Sequence, residues 1–116
     1  MKRVSQADYK KFKESFLYWR EKFGLTQYQI YFEHAKLNSA FANIVVDEQG
    51  KVATVKLCTE NSGLDAKVFN PEKNGKHEAI HLLLHRLAWL GEQRYTASSE
   101  ISDEEEAAVT RLEYVL

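Results

Sequence analysis

Two histidines four residues apart are the residues best placed to do chemistry in this sequence. His77 and His81 enclose Glu78-Ala79-Ile80 in a segment whose apolar residues recur at helical spacing. Side chains at positions i and i+4 of a helix lie one above the other, so both imidazoles can reach one ion. Glu78 points about 100° round the helix, where it can reach a metal-bound water without being a ligand. This HExxH pattern predicts a zinc ion and the activation of water.

The third zinc ligand is less evident. A catalytic zinc usually takes three protein ligands and keeps one position for water. His85 extends the row of histidines, but the helical rise from His77 to His85 is about 12 Å, too long for both to bind one ion. His34 lies on an early strand without motif support. The longer metzincin motif, which adds a glycine and a third histidine after HExxH, is absent because Leu84 and Leu87 occupy those two positions.

An acidic cluster at residues 103–106 offers a candidate. At 100° per residue, Glu105 falls in the middle of the apolar side of the last helix. That side comprises Ile101, Ala108, Val109 and Leu112. A buried acid needs a partner, and a metal ion is one. Glu105 also has capping-box spacing from Ser102, so a helix cap is the alternative, which weakens if the helix starts near Ser98. We expect Glu105 to be the ligand, with Glu106 in reserve.

The elements that must position these residues form an α+β pattern. Aromatic residues at helical spacing predict a helix over residues 5–23, with Ser5 and Asp8 at its start and Gly24 after its end. Alternating residues predict strands over 28–34, 40–46 and 52–58, the last two joined as a hairpin, in a small antiparallel sheet. Asn70-Pro71 is a helix-start signal, although Gly75 favours a regular start nearer Asn74. The motif helix then extends to about Leu90, and a last helix runs from Ser98 or Ser102 to the C-terminus.

Length and charge narrow the function classes. The 116 residues fit a single domain over residues 1–116. A net charge of -1 gives no electrostatic attraction to nucleic acid or anionic membranes. The longest apolar runs have three residues, too short for a transmembrane helix, and no signal peptide is evident. A lone cysteine, Cys58, cannot form an intrachain disulfide, so we expect a reducing, cytoplasmic location.

The chain resembles the gluzincin metallopeptidases, and more narrowly the short phage-type metallopeptidases, or minimal gluzincins. The likeness rests first on the HExxH motif and a glutamate on the following helix. Weaker likenesses are the aromatic helix at Phe16–Phe23, the strand Tyr28–His34, the Ala-rich hairpin, the leucine-rich run Leu82–Leu87, the pair Arg94-Tyr95 and the acidic helix ending Val109–Glu113.

The resemblance implies a zincin-like fold and one zinc ion per chain, held by His77, His81 and Glu105. It implies hydrolysis of peptide bonds in a peptide or protein substrate by a zinc-bound water, with Glu78 as general base. A phage-encoded chain would act in the bacterial host cytoplasm. Larger gluzincins stabilise the oxyanion with a downstream His or Tyr, for which Tyr95 is a candidate by position only.

Two other functions are compatible with the sequence. One is a non-catalytic, zinc-binding interaction module on the same fold. The other is a compact interaction protein without metal, whose interface would use Tyr9, Tyr18, Tyr28 and Tyr31. For the peptidase, we expect the hairpin strand over residues 40–46 to be an edge strand that pairs with an extended peptide.

Overall fold

Three helices and three strands form the described part of the chain. The computed structural model describes residues 3–38, 40–60, 69–93 and 97–115. In chain order the elements are α1 (Gln6–Lys22), β1 (Gln29–Ala35), β2 (Ala42–Asp47), β3 (Val52–Cys58), α2 (Pro71–Glu92) and α3 (Ser98–Val115). The α+β class and the order of the elements are therefore confirmed. No helix within these ranges is long and apolar enough to cross a membrane.

Local capping signals set the starts of the first two helices. The Ser5 hydroxyl accepts a hydrogen bond from the Asp8 amide at 3.0 Å, and the Asp8 carboxylate accepts one from the Ser5 amide at 3.2 Å. This is the predicted capping box. Asn70 caps α2 with a single hydrogen bond, which its side chain accepts from the Lys73 amide, and Pro71 lies in the first turn. The regular helix therefore starts before Asn74, and the expected delay at Gly75 is wrong because the Asn70 cap and Pro71 already fix the first turn.

The sheet is mixed, so the expected antiparallel sheet is wrong. Its strand order is β1-β3-β2, with β3 antiparallel to β2 but parallel to β1. At the end of β3, the Cys58 amide donates to the Phe41 carbonyl at 2.8 Å, and the Thr59 amide donates to the Ala35 carbonyl at 3.1 Å. Ala35 and Phe41 therefore flank the end of β3 on its two sides, and the hairpin brings β3 back between β1 and β2.

β3 is the central strand of the sheet, and its inward face is the most deeply buried. Ala53, Val55 and Leu57 have no exposed surface. Phe32 on β1 is paired with Val55 and meets the ring of Phe16 on α1 edge-on, with centroids 5.6 Å apart. Central pairing shields β3 on both sides and leaves β2 as an edge strand, as predicted.

α1 and α2 cross at a close backbone contact that only glycine permits. A Cβ atom on Gly75 would lie 2.6 Å from the Phe12 carbonyl oxygen and 3.0 Å from the Phe16 amide nitrogen. Nearby, the Ser15 hydroxyl donates to the Glu72 carbonyl at 2.6 Å. This contact fixes the rotation of α2 about its own axis, and so decides which side chains of the motif face the sheet.

We expect Gly75→Ala to destabilise the fold by about 1–3 kcal/mol or more, because the added methyl group overpacks the crossing. Gly91, on the same helix, provides the matched control, since a Cβ atom there would meet nothing within 4 Å. Gly91→Ala should be neutral or stabilising by up to about 1 kcal/mol. Urea denaturation of both variants measures the difference. Equal midpoints would show that the helices do not pack closely at Gly75.

Candidate metal site

The rotation of α2 places the glutamate of the motif inward and its histidines outward. Ala79 and Leu82 are almost completely buried against the core. Glu78 precedes Leu82 by one helical turn and shares its side of the helix, so it is buried too. His77 and His81 lie on the exposed side. Both imidazoles are therefore accessible to an ion from solvent.

The two imidazoles converge on one point. Their Nε2 atoms lie 3.1 Å apart, and the rings meet edge-on with centroids 4.8 Å apart. One ligand atom from each of His77, Glu78 and His81 lies within 4.8 Å of the others. Two nitrogens 3.1 Å apart, each about 2.05 Å from one zinc, would subtend about 98° there, close to a tetrahedral angle. This group could hold a metal ion.

Glu78 is a carboxylate on the core side of α2, and one of its oxygens has no hydrogen-bond partner among the described residues. Its side chain belongs to a residue only 4% exposed, and Oε2 is buried and unpaired. Burial raises the pKa of Glu78, while the nearby charges of His81 and His77 lower it by less. A buried acceptor without a donor destabilises the fold by about 1–3 kcal/mol. A metal ion bound by the two converging imidazoles would give this oxygen a partner.

A cleft between β2 and the first half of α2 leads to this group. One cavity of about 360 Å³ is lined by Phe41, Ala42, Lys73, Asn74, His77 and Glu78. A second, of about 290 Å³, is lined by Ala42, Asn43, Ile44, His77, Glu78 and His81. The two cavities share three residues, so the first histidine and the glutamate of the motif lie where they meet.

The cleft also concentrates unsatisfied polar atoms. In the described part of the chain, four buried side-chain atoms lack a hydrogen-bond partner. Three of them, Asn43 Oδ1, Asn74 Nδ2 and Glu78 Oε2, belong to residues that line the two cavities. Sequence reasoning missed both asparagines. A signal was present for Asn74, which precedes Glu78 by four residues and so shares its side of α2.

The packing that suggested Glu105 as third ligand is not observed. Glu105 and Glu106 are exposed, and the half-buried acid of α3 is Glu104. Glu104 Oε1 lies 2.9 Å from Arg86 Nε, and Ala108, one turn on, is the buried residue of the helix. Because of this ion pair and the small alanine, the face of α3 that packs against α2 is rotated by about one residue position from the expected face. A ligand role for Glu105 stays a prediction, without the inward orientation on which it was based.

His85 is held away from the metal group by a buried carboxylate that the sequence did not predict. Its Nδ1 lies 2.9 Å from Oε2 of Glu48, and this oxygen also accepts from the Tyr28 hydroxyl at 2.7 Å. Lys51 and Arg86 surround the other oxygen. Glu48 lies in the β2–β3 turn and is only 3% exposed, so this cluster ties the hairpin to α2.

The remaining candidates lie elsewhere or outside the described residues. His34 stacks on Tyr9 with ring centroids 4.7 Å apart, and its Nε2 lies 3.1 Å from the Cys58 carbonyl oxygen. Its environment is that of a structural side chain. Tyr95, the candidate for stabilising an oxyanion, falls outside the described ranges.

Comparisons with protein-family models, with curated proteins and with solved structures gave no match. The likeness to gluzincins therefore rests on the features of the sequence alone.

We expect the purified protein to bind about one zinc ion per chain, because two imidazoles already converge at zinc-binding distance. His77→Ala or His81→Ala should lower the affinity at least about a hundredfold, since loss of a supporting partner alone costs up to that much. His85→Ala is the matched control, because His85 faces Glu48 instead. Competition with a chromogenic chelator measures all three affinities.

The same titration tests the third ligand. Glu105→Ala should lose affinity and Glu106→Ala should not if α3 contributes the predicted carboxylate. Unchanged affinity in Glu105→Ala would remove it from the site, and zinc retained by the double histidine variant would remove the whole site.

Glu48 should make stability depend on pH. Burial raises the pKa of Glu48, but the hydrogen bonds it accepts from Lys51, Tyr28 and His85 outweigh burial and hold it below the ordinary value. A carboxyl with a lowered folded-state pKa stabilises the fold above its unfolded pKa of about 4.3, and this is lost as pH falls through the folded value. Glu48→Gln should therefore lose about 1–3 kcal/mol at pH 7 and less at pH 3. Denaturation at both pH values tests this, with exposed Glu113→Gln as control; an equal loss at both would contradict it.

Proposed function

We propose that the protein is a zinc-dependent peptidase of the gluzincin type, with Glu78 as general base. The observation that carries this proposal is the arrangement of three groups on two turns of α2. Two exposed imidazole nitrogens lie 3.1 Å apart, and a buried carboxylate with an unpaired oxygen lies beside them. The ligand chemistry suits zinc, which favours imidazole nitrogen and carboxylate oxygen.

Zinc held by His77 and His81 would lower the pKa of a coordinated water and polarise the carbonyl of the peptide bond. Glu78 accepts the proton of the attacking water and passes it to the nitrogen of the leaving amine. Ligand atoms of Glu78 and of both imidazoles lie within 4.8 Å of one another, so Glu78 is close enough to reach a water held by the two histidines' ion. Glu78 Oε2 accepts no hydrogen bond from the described residues, which leaves it free to take this proton.

The edge strand β2 offers the means to hold a substrate. It pairs with β3 along one side, and Ala42, Asn43 and Ile44 line the cavity that also contains the motif residues. An extended peptide added beside β2 would obtain backbone hydrogen bonds from the strand. Such pairing would carry its backbone carbonyls past His77 and Glu78. A peptide substrate in an extended conformation is therefore the class that the cleft fits best.

A non-catalytic zinc-binding module is the second candidate, and one observation favours it. Within the described ranges, the group that could hold a metal contains only His77, Glu78 and His81. If Glu78 itself binds the ion as the third ligand, it cannot act as a free base. The site would then hold zinc for stability or for binding to another protein.

Glu78→Gln separates the two functions. The peptidase predicts that this variant keeps zinc within about threefold of wild-type affinity and loses hydrolysis by about 10²–10⁴-fold, the usual contribution of a general base. Chelator competition and cleavage of a quenched fluorescent peptide library provide the two measurements. Glu72→Gln, an exposed change in the first turn of the same helix, is the matched control.

Loss of zinc in Glu78→Gln would make Glu78 a ligand and support the non-catalytic module. Equal cleavage by the wild type and Glu78→Gln would exclude it as general base.

A further inference from the structure

The larger cavity of the cleft extends beyond the groups that the proposed chemistry needs. It continues from His77 and Glu78 along α2 to Asn74 and Lys73, and its far wall is Phe41. Phe69 supports that wall, with its ring centroid 5.3 Å from that of Phe41. The cavity of about 360 Å³ therefore has one aromatic wall and one polar wall.

The polar wall supplies hydrogen-bond donors. Asn74 Nδ2 is buried and has no acceptor in the described part of the chain. Lys73 carries a positive charge one residue earlier, and within the described residues its ammonium forms no ion pair. The Lys73 amide is already capped by the Asn70 side chain at 3.1 Å, so the backbone of the helix start is not the binding group. Two residues with donor side chains thus line the cavity, and the buried amide group of Asn74 has no acceptor among the described residues.

We propose that this cavity binds a carboxylate of the substrate, next to the bond that is cleaved. The Lys73 ammonium pairs with its charge, Asn74 Nδ2 donates to one of its oxygens, and the Phe41 ring packs against the aliphatic part that carries it. The proposal rests on the peptidase function above and names its substrate class: extended peptides with an acidic group beside the scissile bond. A charged acceptor satisfies Asn74 better than a neutral one, because hydrogen bonds to charged groups are stronger.

Glu78 is the negative charge nearest to this pocket, and it does not prevent acid binding in the metal-loaded protein. A divalent ion between His77 and His81, together with Lys73, leaves the combined cleft with a net positive charge. Glu78→Gln removes the carboxylate without changing its size. Binding can therefore be measured in that variant without repulsion and without hydrolysis.

The carboxylate can come from two sources. An Asp or Glu side chain within a peptide would make the protein an endopeptidase with acidic specificity. The free C-terminus of a peptide would make it a carboxypeptidase. The chemistry of Lys73 and Asn74 is the same for both, so the probes must separate them.

The test uses three blocked peptides with the full chain carrying Glu78→Gln, with and without one equivalent of zinc. The first is acetyl-Ala-Ala-Glu-Ala-Ala-amide, the second has Gln in place of Glu, and the third is acetylated penta-alanine with a free C-terminus. Isothermal titration calorimetry measures each affinity without any need for catalysis, and the ¹⁵N-labelled side-chain amide of Asn74 reports contact with the pocket in the proteins that retain Asn74. We expect the first or the third peptide to bind about tenfold more tightly than the second and to shift this signal.

The variants Lys73→Gln and Asn74→Asp should each reduce that preference to about twofold or less, the first by removing the charge and the second by replacing the donor. Lys76→Gln is the matched control, because the Lys76 ammonium lies over the Trp19 ring, 4.4 Å from its centroid. The titration is repeated on the wild-type chain, so a folding defect in one variant does not decide the result.

Equal affinity for all three peptides, no binding, or a preference that survives both substitutions would overturn the pocket. The outcome is distinct from failure of the peptidase. Acid-selective binding without cleavage by the wild type would retain the pocket and reject the enzyme. Cleavage without a preference for acidic peptides would retain the enzyme and reject the pocket.

Discussion

The rotation of α2 about its own axis is the constraint on which the rest of the site depends. Gly75 lets α1 and α2 touch through their backbones, and any other residue there would push them apart. With that contact made, the next turns of α2 have one side on the core and one side in solvent. A rotation by a single residue position would bury a histidine and expose Glu78, so the two imidazoles would no longer both be accessible from the cleft.

This constraint places a buried carboxylate where the fold itself does not need one. Glu48 and Glu78 are the two buried acids of the described core, and they differ sharply. Glu48 is surrounded by donors from the hairpin and α2, and its pKa is lowered. Glu78 keeps one oxygen unpaired, and burial raises its pKa. The first stabilises the packing of α2 on the hairpin, whereas the described residues provide the second with no donor at Oε2.

Local signals were enough to predict the helices and the histidine pair. The Ser5 capping box, the Asn70-Pro71 start and the i, i+4 spacing all depend on neighbours within a few residues, so they could be found in the sequence. The parallel pairing of β1 with β3 could not be predicted, because it depends on which strand of the hairpin packs beside β1. The alternation of inward and outward side chains is the same in parallel and antiparallel strands. The burial of Glu48 was not predicted for a similar reason, because three of the four side chains that contact it come from outside the β2–β3 turn.

The orientation of α3 shows how a long-range pair overrides a local pattern. Its apolar residues predict a face that includes Val109 and Glu105, yet Val109 is 47% exposed and Glu105 lies in solvent. Arg86 on α2 binds Glu104 instead, and the small side chain of Ala108 allows close approach. Neither contact is visible in α3 alone, because the arginine comes from another helix.

The most direct measurement of the metal site is the zinc K-edge X-ray absorption spectrum of the protein loaded with one equivalent of zinc. A site built on His77 and His81 predicts two imidazole nitrogens at about 2.0–2.1 Å, with the remaining ligands oxygen. The multiple-scattering features of imidazole should disappear in the variant that lacks both histidines. A spectrum with oxygen ligands only in the wild type, or with a single imidazole, would contradict the site.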